Sequence, residues 1–157
     1  MKKIIYSILV ISLMIVIFLF SNQEANQSTK VSNGVIDRTV IKIYEFFNKN
    51  ATESKISEIK EIAVFPIRKL AHLSVYFILG ILVLLLMKEF KLTYKDMIIV
   101  STLICMLYAC SDEIHQLFVI GRSGEARDVF LDTCGSFLGI VLTTSVIKKI
   151  TLRKMDE

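Results

Sequence analysis

The chain has 157 residues, room for one domain, and 54% of them are apolar, with a mean hydropathy of +0.59. So high an apolar content argues strongly against a water-soluble enzyme. The formal charge of +4 does not indicate nucleic-acid binding, because Lys and Arg flank apolar runs instead of forming a patch interleaved with aromatic residues.

Four apolar runs predict an all-α, polytopic membrane protein with four transmembrane helices, in a single domain over residues 1–157. We place the helices at about 4–20, 66–87, 97–118 and 128–147. Short segments rich in lysine and arginine precede the first helix, join the second to the third and follow the fourth. The positive-inside rule predicts that these segments and both termini lie on the cytoplasmic side of the plasma membrane.

The first helix follows Lys2 and Lys3, as the apolar core of a signal peptide would. Its apolar stretch is longer than such a core, and residues 19–23 hold no small-x-small cleavage pattern. We therefore expect the first helix to remain uncleaved.

Residues 21–65 form the long outer loop of this topology, and their periodicity predicts one or two amphipathic helices. The first has apolar residues at i, i+4, i+7 and i+11, namely Ile36, Val40, Ile43 and Phe47. A second, shorter helix is predicted over 52–62, with three residues facing inward: Ile56, Ile59 and Ile62. We expect these helices to lie on the outer membrane face or to cap the bundle. Pro66 suits the first turn of the next transmembrane helix.

The third apolar run is too short to cross a membrane alone. Residues 97–110 rise only about 21 Å, against a hydrocarbon core of about 30 Å. The helix must therefore continue through residues 111–116, which places charged side chains in the outer part of the bilayer. At the same depth, the second and fourth helices begin with further polar residues: Arg68, Lys69, His72, Tyr76, Asp128 and Asp132.

At 100° per residue, the polar side chains of each of these helices fall on one face. Because charged groups in a membrane helix are costly, the three faces should meet one another rather than lipid. The sequence therefore predicts one polar site between the second, third and fourth helices. Its candidate ligand-binding residues are Arg68, Lys69, His72, Tyr76, Asp112, His115, Gln116, Arg122, Asp128 and Asp132.

Other residues of the third and fourth helices have structural interpretations. Glu113 and Arg127 lie off the polar faces and are interpreted as surface charges. Gly135 and Gly139, in GxxxG spacing, would let the fourth helix approach a neighbour closely. The site residues also carry charges of both signs, so mutual pairing that only holds the bundle together is an alternative to ligand binding.

Metal chemistry is a further alternative, because His72 and His115 carry metal-ligand nitrogens. With Asp128 or Asp132 they could hold a metal ion, but no HExxH or CxxC spacing supports this. We therefore expect no metal and no cofactor. Residues 121–124 predict a turn whose arginine and backbone N–H groups could hold a phosphate or carboxylate.

Three ordered motifs carry a family resemblance. They are Arg68-Lys69-x-x-His72-x-x-x-Tyr76-x-x-x-Gly80, Asp112-Glu113-x-x-Gln116-x-Phe118-x-x-Gly121-Arg122 and Asp128-Val129-x-x-Asp132-x-x-Gly135-x-x-x-Gly139. Over about residues 5–150 the chain resembles the VanZ-like family. The resemblance implies a small bacterial membrane protein of several helices, from a family whose namesake raises resistance to the glycopeptide antibiotic teicoplanin.

The preferred hypothesis is a binding or modulating protein of the outer leaflet, surrounded by membrane lipids. Its cations Arg68, Lys69 and Arg122 would engage an anionic head group, a lipid-linked envelope precursor or a glycopeptide. Arginine suits phosphate because its forked donors bind two oxygens at once. The acids would orient these cations or bind hydroxyl and amine groups.

Two other functions remain open. The first is an intramembrane hydrolase or transferase acting on a lipid or glycopeptide, with Asp112 or Asp128 as general base and His72 as partner. The second is a transporter or flippase formed by a dimer, for which the sequence offers neither repeat symmetry nor a broken helix at mid-membrane.

Overall fold

The computed structural model describes residues 1–23, 25–48, 52–122 and 124–154, and within these ranges it contains no strand. The helices are α1 (Lys2–Ser21), α2 (Ala25–Ile36), a π-helical segment (Asp37–Ile41), α3 (Lys42–Phe47), α4 (Glu53–Lys88), α5 (Tyr94–Gln116) and α6 (Ala126–Arg153). Of these, α1, α4, α5 and α6 are long and apolar enough to cross a membrane. The predicted all-α, four-span architecture is confirmed, and the chain is a multi-pass membrane protein.

The second spanning helix begins earlier than the sequence predicts. Its expected start was Pro66, whereas α4 begins at Glu53 and continues through this proline. Membrane helices tolerate proline, and Pro66 is exposed, so its ring stays out of the helix–helix contacts. The 36 residues of α4 span about 54 Å at about 1.5 Å each. Its first turns therefore extend beyond a hydrocarbon core of about 30 Å.

The predicted separate helix over 52–62 is consequently the first part of α4. Ile56 and Ile59 are half-buried there, in line with the prediction. Ile62 was expected to face inward and is instead 67% exposed. In one regular helix Ile62 lies about 120° around the axis from Ile56, so the two cannot share a narrow apolar face.

The segment over 36–47 is helical, but a π-helical turn interrupts it. Ile36 is fully buried, and Ile41 rather than Val40 takes the next buried position. A π-helical turn contains an extra residue, which shifts the buried face by one position. Beyond this turn Ile43 and Phe47 are exposed, so the end of the segment presents apolar side chains to its surroundings.

Glycines allow α4 and α6 to pack closely along their length. A Cβ atom on Gly135 would lie 2.6 Å from the carbonyl oxygen of Leu73, and one on Gly139 would collide with the carbonyl oxygen of Phe77. Gly80 has the same role on the α4 side. The GxxxG spacing of α6 therefore marks a real helix–helix contact.

The two ends of the four-helix bundle differ in chemistry. At one end the Lys3 ammonium lies 4.3 Å from the ring centroid of Phe90, which brings the start of α1 to the connection between α4 and α5. At the other end Ser21 of α1 meets Asp112 near the end of α5. The polar site is built at this second end.

Apolar side chains also cover the outside of the bundle. Large hydrophobic residues of all four spans are exposed, among them Ile4, Leu70, Leu107 and Val146. An exterior this apolar is suited to contact with lipid tails, so membrane lipids surround the spans.

Candidate functional site

Polar residues from α4, α5 and α6 meet at the end of the bundle where α1 finishes. Lys69 on α4 forms an ion pair with Asp128 in the first turns of α6. One turn further along both helices, His72 Nδ1 lies 3.8 Å from Asp132 Oδ2. The two pairs place α4 and α6 in register at the site.

Asp112 on α5 connects its helix to α1 at the site. Its Oδ2 atom accepts a 2.8 Å hydrogen bond from the Ser21 hydroxyl and a 3.3 Å bond from Gln116 Nε2. The side chain of Asp112 is 2% exposed, and its other oxygen, Oδ1, has no hydrogen-bond partner among the described residues. One oxygen of this carboxylate is therefore held while the other is left without a donor.

Arg122 closes the site from the connection between α5 and α6. Its Nη1 donates to Gln116 Oε1 at 3.2 Å and its Nε donates to the Gln23 carbonyl oxygen at 3.1 Å. Burial, and next the like charge of nearby Arg68, lower the pKa of Arg122. These two guanidinium groups thus lie close enough to repel each other.

The sequence predicts a turn over 121–124, whereas the described turn is closed by the hydrogen bond from the Arg122 N–H to the Val119 carbonyl oxygen and so spans 119–122. Gly121 has a φ of 76°, the left-handed conformation that favours glycine. Ser123 lies outside the described residues. A Cβ atom on Gly124 would come within 2.8 Å of the Glu113 carbonyl oxygen, so a small residue is needed where the turn folds back on α5.

Glu113 is not the surface charge that the sequence predicts. It is buried, and its Oε2 atom accepts a 2.9 Å hydrogen bond from the backbone N–H of Glu125, just before α6. Its Oε1 atom accepts from Gln116 at 3.3 Å. The first N–H groups of a helix lack partners within the helix, and this carboxylate satisfies one of them. Arg127, the other residue interpreted as a surface charge, is exposed.

His115 stands apart from the other candidate site residues. Its ring stacks on Phe18 of α1 with centroids 4.3 Å apart, and its Nε2 atom lies 3.3 Å from Asn22 Oδ1. The polar cavity described below is not lined by His115. The structure therefore gives His115 a contact with α1 rather than a position in the polar site.

Tyr76 is fully buried behind the polar site. Its ring centroid lies 6.2 Å from that of Tyr108, whose hydroxyl donates a 2.6 Å hydrogen bond to the Met14 carbonyl oxygen. The Tyr76 hydroxyl itself has no partner among the described residues. Tyr76 thus places a buried polar atom without a described partner behind the site.

Two cavities open at the site and share Arg68, His72 and Arg122. The smaller, about 50 Å³, is polar and is otherwise lined by Lys69, Gln116, Gly121, Glu125 and Asp128. The larger, about 260 Å³, lies between α1, α2 and α4. Its walls are mostly apolar and include Ile17, Phe20, Val35, Ile67 and Val75. The site therefore offers a charged compartment joined to an apolar one.

The sequence prediction missed the contribution of α1. The donor to Asp112 is Ser21 and one acceptor for Arg122 is the Gln23 carbonyl group, both at the end of the first helix. The available signal was that Ser21 is the first polar residue after a long apolar run. Helical faces alone cannot identify a backbone acceptor such as Gln23.

Comparison with known protein families identifies the family of the chain. The VanZ/LLP1 family model matches residues 6–148, a range that contains every residue of the site. No curated protein and no solved structure shows significant similarity to the chain. Because the family match covers most of the sequence, the chain belongs to the VanZ/LLP1 family.

Proposed function

We propose that this protein binds an anionic, lipid-like component of the cell envelope at the outer leaflet of the plasma membrane. The observation that carries the proposal is the pair Arg68 and Arg122. Both line the two joined cavities, and neither forms an ion pair with an acid of the described chain. Two neighbouring guanidinium groups repel each other, and an anion bound between them would relieve this repulsion.

The joined cavities support an amphiphile rather than a free anion. A phosphate or carboxylate head group would sit against Arg68 and Arg122, with Lys69 held nearby by Asp128. The apolar part of the ligand would enter the larger cavity between α1, α2 and α4. At about 260 Å³ this cavity is slightly below the usual range for small-molecule sites, roughly 300 to 1,000 Å³, and suits part of a lipid tail.

The outer-leaflet position rests on the lysine pattern of the sequence. Lysines crowd the connection between α4 and α5 and the end of α6, and the positive-inside rule makes both cytoplasmic. The polar site lies at the opposite end of the bundle and hence at the outer face. By family membership, we extend the proposal to teicoplanin resistance, which would arise when binding changes the amount or exposure of an envelope component.

Lipid binding is tested by native mass spectrometry of the protein released from bacterial membranes. Arg68→Gln and Arg122→Gln should each weaken retention of a phosphorylated lipid by about tenfold to a hundredfold, the size of a lost charge-assisted hydrogen bond. Arg127→Gln is the matched control, because Arg127 is exposed and lies outside both cavities. Equal lipid retention by all three variants would contradict the proposal.

The resistance proposal needs its own experiment. The gene is expressed in a sensitive Gram-positive host, and teicoplanin and vancomycin susceptibility is compared for wild type and the same three variants at matched expression. We expect teicoplanin resistance to fall for Arg68→Gln and Arg122→Gln and to persist for Arg127→Gln. If resistance persists in both Arg68→Gln and Arg122→Gln, then resistance does not depend on lipid binding at this site.

An intramembrane hydrolase or transferase is the second candidate function, favoured by the approach of His72 to Asp132. Their 3.8 Å separation is longer than a hydrogen bond of about 2.6–3.2 Å, so the two side chains would have to approach on substrate binding before the acid could orient the imidazole. Asp128 is the weaker general base, because Lys69 already neutralises it. Asp112→Asn and Asp132→Asn should abolish turnover of a lipid substrate if this function holds, whereas Asp128→Asn should reduce it less. Wild-type lipid binding without any change in lipid mass would argue for binding alone.

A further inference from the structure

Three potential metal ligands from three different spans converge beneath the polar cavity. The three residues are His72 on α4, Asp112 on α5 and Asp132 on α6. Each offers one ligand atom, and these three atoms lie within 4.8 Å of one another. Both carboxylates are almost fully buried, at 2% and 1% exposure. The three residues therefore form a compact cluster inside the bundle.

Two carboxylate oxygens of this cluster lack donors. Asp112 Oδ1 and Asp132 Oδ2 have no hydrogen-bond partner among the described residues, although each is buried. Two of the nearby cations are engaged elsewhere, since Lys69 pairs with Asp128 and Arg122 donates to Gln116 and to a backbone carbonyl group. Arg68 forms no ion pair with either carboxylate among the described residues. Buried carboxylates are costly unless a cation or a proton neutralises them.

We propose that His72, Asp112 and Asp132 bind one first-row divalent cation of the Zn²⁺ or Mn²⁺ type. Two carboxylates balance the charge of such an ion. The imidazole favours a transition metal over Mg²⁺ or Ca²⁺, which prefer oxygen ligands alone. The site goes beyond the anion-binding proposal and does not depend on it.

The separations between the ligand atoms fit this assignment. With metal–ligand distances of about 2.0–2.2 Å, two ligand atoms of one ion are at most about 4.4 Å apart. The 3.8 Å between His72 Nδ1 and Asp132 Oδ2 is already inside this limit. In a tetrahedral site two ligand atoms are about 3.5 Å apart, so the 3.8 Å pair has to close by a few tenths of an ångström. The most distant pair, within 4.8 Å, has to close by up to about 1.3 Å, which a change of side-chain torsion angles supplies.

The partners of Asp112 prepare it to be a ligand. Ser21 and Gln116 both donate to Oδ2, which fixes the carboxylate and leaves Oδ1 for the cation. Hydrogen bonds of this kind commonly orient metal ligands. The unpartnered hydroxyl of Tyr76, one helical turn beyond His72, also lines the larger cavity. Of the three proposed ligands only His72 lines the cavities, so a cation in the cluster lies behind the cavity wall.

Metal content tests the site without any ligand or activity. The full chain, purified in detergent without a polyhistidine tag, is stripped with a chelator and dialysed against Zn²⁺. Mass spectrometry of the metal should find one zinc per chain in the wild type. His72→Gln and Asp132→Asn should each lower zinc affinity by on the order of tenfold or more. The matched control is His115→Gln, which changes the only other histidine.

Substitution by Co²⁺ keeps the test decisive where a variant fails to fold. The wild-type protein should show visible cobalt bands of nitrogen and oxygen ligation without a thiolate charge-transfer band. Zinc should also raise the melting temperature of the wild type and of His115→Gln. A wild type that retains no zinc, zinc binding that survives His72→Gln, or a thiolate band from the three cysteines would each overturn the assignment. Loss of lipid binding in arginine variants that still bind zinc would concern the proposed function instead.

Discussion

Ser21, the last residue of α1, donates a 2.8 Å hydrogen bond to Asp112 on α5. This contact ties the most apolar span to a buried acid of the candidate site. It also explains how a buried carboxylate is kept in one orientation although its second oxygen has no donor. The first helix therefore contributes a side chain to the candidate site.

Ser21→Ala should destabilise the protein, because it removes the donor and leaves Asp112 Oδ2 with a single weaker partner. The expected loss is about 1.5–3 kcal/mol, the usual contribution of a hydrogen bond to a charged group. Thermal unfolding in detergent, followed by a dye that reacts with newly exposed cysteines, measures the change. Ser12→Ala, at an exposed position of the same helix, serves as the control and should melt like the wild type.

Gly135→Ala should disturb the contact between α4 and α6. Its new methyl group would meet the Leu73 backbone at 2.6 Å, and a backbone carbonyl group cannot turn away as a side chain can. Overpacking of this kind costs about 1–3 kcal/mol, seen as a lower melting temperature. Gly34→Ala is the matched control, because nothing lies within 4 Å of a Cβ atom there. Equal melting temperatures for the two variants would show that the helices can separate without penalty.

The Lys69 and Asp128 pair should couple energetically. Both side chains are largely shielded from solvent, at 15% and 20% exposure, so their attraction is less screened than that of a surface pair. A double-mutant cycle with Lys69→Gln and Asp128→Asn should give a coupling of about 1 kcal/mol in unfolding free energy. The exposed pair of Lys60 and Asp37 provides the comparison and should couple more weakly. Additive effects in the first cycle would mean that the ion pair contributes no stability.

The membrane orientation predicts which positions react with an impermeant thiol reagent. In a variant without native cysteines, Glu53→Cys at the start of α4 should be labelled in intact cells. Tyr94→Cys, at the start of α5, should be labelled only after the membrane is permeabilised. Both positions are exposed and neither substitution removes a lysine, so the charge pattern that sets the topology is unchanged. The reverse labelling pattern would place the polar site on the cytoplasmic side.

Much of the fold follows from the sequence, because a membrane span needs a long apolar helix. The four spans and the meeting of polar faces on α4, α5 and α6 were predictable on this basis. The GxxxG spacing of Gly135 and Gly139 likewise pointed to the close contact with α4. The spacing of apolar residues and the free-energy cost of placing a charge in the membrane are properties of a single helix. Both can therefore be assessed without knowing which helix packs against it.

The errors concern contacts between elements. The direction of Glu113 on α5 predicts a surface charge when this helix is considered alone. In the structure the chain after α5 folds back, and the Glu125 N–H group donates to Glu113. Pro66 predicts a helix start, because proline favours the first turn. In the structure it lies within α4, where a membrane helix tolerates an exposed proline. Ser21 could not be linked to Asp112, 91 residues away, from periodicity.

The most direct test of the anionic-amphiphile site is site-specific photo-crosslinking in living cells. A benzophenone amino acid replaces Phe20, which lines the larger cavity, or Phe130, an exposed residue of α6 that lines neither cavity. We predict that the probe at Phe20 captures a phosphorylated envelope lipid that the probe at Phe130 does not, and that Arg68→Gln with Arg122→Gln removes this product. Capture of the same bulk lipids by both probes, in proportions that the arginine substitutions leave unchanged, would contradict the account.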